Sequence, residues 1–315
     1  MAPASLGFGV EIEAVVQPYK IRPNWSPYQY YERLAQALRN RHLSAVADTA
    51  GSQYRRHPEH YNRWFITRDG SLPASTTGGN LSLEAVSPKL RSDGDWIKEI
   101  DLFWEAMRKV FKVQADGHCG SHIHVAPIGA RFKLEELKKV AFAVCYYEQC
   151  INGLLPTERR NNNYCKPNSQ SVSHLRSLLA QPSSTSLRTV ATELKAKSTT
   201  TEICNYMQAD RYVCWNFANT VNQTPGTTSG TIEFRGGRHL RGRFRTKRWI
   251  TFTVTFVLMA LDEGLVNSSS SYTVLRSSRD DVTAFWEKIK RYANQLGLES
   301  MIPSSYTSMN EGASV

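Results

Sequence analysis

LGFGVEIEAVV, Leu6 to Val16, is the stretch on which the fold turns. Read with the period of two that a β-strand imposes, Phe8, Val10 and Ile12 fall on one face, and Gly9, Glu11 and Glu13 on the other. The same division recurs along the chain. In LSLEAV, Leu81, Leu83 and Ala85 oppose Glu84. In GSHIHV, Ile123 and Val125 oppose His122 and His124. In TIEFR, Ile232 and Phe234 oppose Thr231, Glu233 and Arg235, and in ITRDGS, Asp69 and Ser71 share a face. Several strands therefore carry one apolar face and one face bearing carboxylates, imidazoles or a guanidinium.

A sheet with one solvated side explains simple alternation. It does not explain the residue types. Glutamate is a poor strand former, and Glu11 and Glu13 sit two residues apart on one face, where like charges repel. Carboxylates gathered in this way call for a cation, and Mg²⁺ is the natural one because it takes hard oxygen ligands together with phosphate. The H-x-H pair of His122 and His124 aims both imidazoles to one side, which suits a metal site and equally suits histidines held by hydrogen bonds.

Composition bounds the rest. The chain has 315 residues, 41% of them hydrophobic and 21% charged, with a formal net charge of +11. That length can bury a full core. No apolar run of about 18 residues suggests a membrane span; Trp249 to Leu261 is interrupted by Thr251, Thr253 and Thr255 and reads as a buried helix. The first residues lack a basic segment followed by an apolar one, so a cytoplasmic location is the expectation. The six cysteines, Cys119, Cys145, Cys150, Cys165, Cys204 and Cys214, form no CxxC pair and read as reduced, mostly buried thiols.

Helices are expected at Tyr28 to Arg41, Asp95 to Phe111, Leu134 to Leu155, Arg245 to Gly264 and Asp280 to Leu296. Further strands are expected at Tyr61 to Ser71 and Arg211 to Asn219. The region 159–200 is rich in serine and asparagine and reads as a loop-and-helix insertion, a candidate lid. The expected layout is a single domain over 1–302 with a disordered polar tail at 303–315. The basic segment GGRHLRGRFRTKR, Gly236 to Arg248, reads as a solvated loop and helix start, with Arg235 beside the acidic residues as the phosphate or carboxylate clamp.

Taken in order, G-V-E-I-E at Gly9 to Glu13, D-G-S at Asp69 to Ser71, E-A-V-S-P at Glu84 to Pro88, C-G-S-H-I-H at Cys119 to His124, R-Y-V-C-W-N at Arg211 to Asn216 and T-I-E-F-R at Thr231 to Arg235 form a specific set. The set resembles the amidoligase family, a branch of the glutamine synthetase and γ-glutamylcysteine ligase superfamily, over roughly residues 6 to 265. The resemblance implies an α+β fold: a curved antiparallel sheet with the active site on its open concave face and helices packed on the other. It implies an enzyme that uses ATP and Mg²⁺ to phosphorylate a carboxylate, which an amine then attacks to give an amide. Carried over, Glu11, Glu13, Glu84 and Glu233 would be metal ligands and Arg235 would hold phosphate or the carboxylate. Asp69 and Ser71 would stand at the site edge. Arg211, Tyr212 and Asn216 would line the nucleotide or substrate pocket, and His122 and His124 would lie at the site. Substrates would be a small-molecule or peptide carboxylate and an amine.

Two other readings stay open on residues alone. A metal-dependent hydrolase would use His122, His124 and a glutamate around zinc or iron. A nucleic-acid-binding protein would use the positive charge, although the basic run lacks the interleaved aromatics such a surface wants, so no nucleic acid or membrane is the expected partner. Oligomeric state and the identity of the substrates are not encoded in any motif.

Overall fold

The strand that begins at Leu6 runs through the middle of the sheet. A computed structural model describes residues 5–49, 61–68, 72, 79–114, 119–160, 162–221 and 229–311. The strands are β1 (Leu6–Pro18), β2 (Ala45–Ala47), β3 (Trp64–Thr67), β4 (Leu81–Val86), β5 (Leu90–Arg91), β6 (Phe111–Val113), β7 (Gly120–Pro127), β8 (Trp215–Asn216) and β9 (Ile232–Arg238). The helices are α1 (Pro27–Arg39), α2 (Trp96–Val110), α3 (Leu134–Leu154), α4 (Thr157–Arg160), α5 (Asn168–Ser171), α6 (Ser173–Leu179), α7 (Ser184–Ala196), α8 (Thr200–Met207), α9 (Arg243–Glu263) and α10 (Arg279–Gln295).

The strands lie in the order β2-β3-β4-β1-β7-β9-β8, with β5 and β6 also paired to β1. The pairings are antiparallel except that of β2 with β3, which is parallel. The expectation of an antiparallel sheet therefore needs correction: the fold is α+β around a large, open, mixed sheet. A parallel neighbour needs a longer connection than a hairpin turn, here residues 48–63, and a three-residue strand shows no periodicity in sequence.

The apolar face named from Leu6 to Val16 is the core face. Leu6, Val10, Ile12, Ala14 and Val16 are each 0% exposed. Phe8 meets Trp96 of α2 edge-on at 5.5 Å, Trp64 of β3 stacks on Phe103 at 4.2 Å, and Phe234 of β9 stacks on Trp249 of α9 at 5.6 Å. Burial of this aromatic and aliphatic surface is the main driving force for holding helices against the sheet. Helix α9 is long and apolar enough by composition to cross a membrane, yet most of it is buried inside the protein, with Ile250, Phe252, Val254 and Phe256 at 0% exposure. It is a core helix. Gly237 of β9 lets it come close: a Cβ there would lie 1.9 Å from Ser121 Oγ and 3.2 Å from the Trp249 ring.

Three further expectations are corrected. The region 159–200 is loop and helix as expected, but it is packed into the core and is not a free cover. Its serines and threonines include helix caps, Ser183 accepting from the Ser186 amide and Thr199 from the Glu202 amide. Between the caps Leu187, Val190, Ala191 and Leu194 recur at helical spacing and are buried with Leu175 and Ile203 in the main core, so the segment cannot lift away without opening that core. The tail is not free: Met309 is 0% exposed, and the Asn310 amide donates to the Leu154 carbonyl at 3.0 Å. Only 312–315 fall outside the described residues there. The strand expected over Arg211 to Asn219 shrinks to Trp215 and Asn216. An Asx contact from the Tyr212 amide to Asp210 and a single parallel bridge between Lys166 and Val213 take up the residues before it.

Candidate active site

Strand register brings the charged residues together on the face away from the core. Glu11 lies directly opposite His122, and Gly9 opposite His124. His124 lies opposite Glu233, which lies opposite Asn216. Glu13 lies opposite Glu84, which in turn pairs with Thr67. Side chains of directly opposed residues on one face touch, so carboxylates and imidazoles from four adjacent strands, β4, β1, β7 and β9, gather on that face. A register shift between Ser121 and Ile123 marks a bulge where β9 runs past His122. Bulges of this kind re-aim side chains next to sites.

Glu11 is the hub. Its Oε2 is 3.1 Å from His122 Nδ1 and its Oε1 is 3.1 Å from His124 Nε2. His122 Nε2 reaches Glu13 Oε1 at 3.4 Å, and His122 Nδ1 lies 3.6 Å from Glu233 Oε1. His124 Nδ1 is 3.1 Å from the Thr231 hydroxyl. Arg235 Nη1 donates to Glu233 Oε1 at 2.7 Å, and Asn216 Nδ2 donates to Glu233 Oε2 at 2.7 Å. Asn216 is itself held by the Gln208 amide at 2.7 Å. The Gly120 amide donates to Glu13 Oε2 at 2.8 Å.

The electrostatics follow from this network. Burial alone would raise the carboxyl of Glu11, but His124 and His122 outweigh it and hold the group well below the ordinary carboxylate range. Glu233 is lowered too, against its burial, by His124, Arg235 and His122. Burial would lower His124, yet Glu11 and Glu233 raise it above an ordinary histidine. Arg235 is raised despite burial, chiefly by Glu233.

Glu11, His124 and Glu233 each offer a ligand atom, all within 4.8 Å of one another. This donor set fits a divalent cation, with Glu13 and Glu84 opposed on the adjoining strands as a second carboxylate pair. The imidazoles stand where a cation would otherwise offset the carboxylates. The structure thus adds His124 to the carboxylates expected as ligands.

Other expected residues are placed differently. Asp69 and Ser71 lie outside the described residues. Arg211 is exposed and packs over the Tyr212 ring at 5.3 Å. Tyr212 meets Tyr164 edge-on at 5.5 Å, and the Tyr164 carbonyl accepts from Arg235 Nε at 3.4 Å. Asn216 alone of that motif joins the cluster. Sequence reasoning missed the Gly120 amide, Gln208 and Arg159, whose Nη2 donates to the Arg235 carbonyl at 2.6 Å. None carries a local signal, because each acts through a contact distant in sequence.

The sequence of residues 4–257 matches the family described as "Putative amidoligase enzyme". The chain belongs to the amidoligase family. No curated protein is similar to it. Among solved structures, this amidoligase is similar to a chain in the crystal structure of the complex between the prokaryotic ubiquitin-like protein Pup and its ligase PafA. That match has 13% identity and a TM-score of 0.33, covering 98% of this chain and 61% of that one.

Proposed function

We propose that this amidoligase joins a carboxylate to an amine at the expense of ATP, with Mg²⁺ bound among the carboxylates on what would be the concave face of a curved sheet. The convergence of Glu11, His124 and Glu233 within 4.8 Å, in a chain of this family, carries the reading. Such a cation, when bound, offsets phosphate charge and polarises the bond to the transferred phosphoryl group.

The protein's own residues supply the rest. Glu11 and Glu233 are kept ionised by their partners and so remain ligands at neutral pH. Asn216 and Arg235 hold the two oxygens of Glu233 and fix its orientation. Arg235 uses Nη1 on Glu233 and Nε on Tyr164, which leaves Nη2 without a hydrogen-bond partner among the described residues. That group can steady charge on a phosphoryl group as a substrate carboxylate oxygen attacks phosphorus and ADP leaves. The amine then attacks the acyl carbon, phosphate leaves, and the amine gives up a proton.

The assay is ADP release from Mg-ATP with pools of carboxylates and amines, followed by mass spectrometry. The expected product has the mass of the two substrates less one water, and appears only when ATP is consumed. A tightly held transition metal together with ATP-independent amide hydrolysis would instead support the hydrolase.

A further inference from the structure

The segment Gly236 to Arg248 is not the solvated loop its composition suggests. Arg245 and Lys247 are buried, at 9% and 7% exposure. Lys247 has an acidic partner, Asp101 of α2, at 2.7 Å, which also lies 3.9 Å from Arg243. The arginines beside it are less well matched. Arg238, Arg241 and Arg248 crowd Arg245, and with its burial they lower it to about 10. The acid facing this group is Glu158, 3.1 Å from Arg238 Nε.

The hydrogen bonds of these arginines go to neutral carbonyls. Arg238 Nη1 and Arg245 Nη2 donate to the Asn310 carbonyl at 3.3 and 3.2 Å. Arg245 Nη1 donates to the His239 carbonyl at 3.1 Å, and Arg248 Nη1 to the carbonyls of Ser308 and Glu311. A carbonyl satisfies a donor but offsets no charge. Arg245 Nε is buried with no acceptor among the described residues, an unusual state for a polar atom.

The same place is the start of the 21-residue helix α9. No side chain caps its first turn and no acid lies there; Arg243 and Arg245 do. Cations at a helix N-terminus oppose the helix dipole, whereas anions are favoured there. A Cβ on the N-cap Gly242 would lie 3.0 Å from Arg108 Nη2, so a further guanidinium reaches the helix end from α2. Neither Arg108 nor Arg241 forms an ion pair or hydrogen bond among the described residues.

We propose that the N-terminus of α9, with Arg108 and Arg241 at the surface and the buried charge of Arg245 beneath them, binds a phosphoryl group of a small phosphorylated ligand. A phosphoryl group carries enough charge to offset several guanidinium groups and enough acceptors for their forks and the first-turn amides. A small ligand fits because the carbonyls of 308–311 already occupy Arg245 and Arg248, which leaves Arg108 and Arg241 as the open guanidinium groups. The site is separate from the carboxylates: Arg238 stands three residues beyond Arg235 on β9, about 10 Å along the strand.

The test is calorimetric titration of the full chain with inorganic pyrophosphate, without divalent cations, against Arg108→Gln, Arg241→Gln and the double variant. Arg108 is exposed and Arg241 is half-buried, so neither change opens the core. Each single change is expected to weaken binding about tenfold, and the double change more. The Glu11→Gln protein is expected to bind as the parent does. No pyrophosphate binding at millimolar concentration, or parental affinity in the double variant, overturns the proposal. Because no turnover is measured, this result is distinct from the success or failure of the ligase reading.

KM values then identify the source of the phosphate. If it belongs to the nucleotide, Arg241→Gln raises the KM for ATP and leaves that for the carboxylate. If it belongs to another phosphorylated compound, the KM for ATP holds and binding of phosphate esters is lost. Either result supports the site. Oligonucleotide binding that strengthens with strand length, and that pyrophosphate does not displace, overturns the small-ligand assignment.

Discussion

The two charged regions at either end of β9 are built on different terms. Among the described residues, the hydrogen bonds of Glu11 and Glu233 go to imidazoles, a guanidinium and an amide of the chain itself. Around Arg245, guanidinium groups meet one another and neutral carbonyls, with the single carboxylate of Glu158 set against Arg238. In the first region each oxygen of Glu11 and Glu233 already has a partner before anything binds, so an incoming cation competes with His124 for the same oxygens. The second awaits a counter-charge. An acidic cluster in a folded chain is thus not a sign of unmet charge, whereas a basic cluster with carbonyl partners is.

The largest expected effect breaks the first region. Glu11→Gln should lower ligase turnover by about a thousandfold, measured as product formation, because it removes a central ligand while keeping the shape. Glu233→Gln should do the same. It should also cost about 3 kcal/mol in urea unfolding, because Arg235 is left buried without its carboxylate. A parental rate in either variant would remove that residue from the site.

The second prediction concerns pH, for the metal-free protein. Glu11 and Glu233 titrate below the ordinary 4.5, so their contribution to stability is complete above that value and is lost as pH falls through their folded values. His124 titrates above the ordinary 6.5, so its contribution is complete below 6.5 and is lost as pH rises through its folded value. The cluster should therefore stabilise the fold most between 4.5 and 6.5, read from urea midpoints across pH. Cation affinity should rise with pH as His124 gives up its proton. Affinity that is flat across neutral pH would exclude His124 as a ligand.

The smallest effect is expected at Arg211. Arg211→Ala should change turnover by less than about twofold, as is usual for an exposed side chain away from the chemistry. A tenfold loss would return it to the pocket.

Much of this was legible in the sequence. Period-two alternation put Glu11, Glu13, Glu84, His122, His124 and Glu233 on one face of their strands, and the register then aligned those strands. Long amphipathic repeats located α1, α2 and α10, and a long apolar run located α9. The failures share one cause. Arg211 is exposed over the Tyr212 ring, and the Gly120 amide, Arg159 and Gln208 act through distant neighbours. Serines that cap α7 look like loop residues until the apolar spacing between them is counted. The tail resembles a disordered end because one buried methionine and a row of carbonyls leave no periodic trace.

The bare backbone at Gly237 has a mechanical consequence. With Ser121 and Trp249 pressed against it, strand and helix behave as the two arms of a rigid set-square. The carboxylates on one arm and the guanidinium groups at the foot of the other hold a constant spacing. Even a single methyl at the corner would drive the Ser121 hydroxyl aside and press on the Trp249 ring, straining the joint on which both sites depend although neither had been touched.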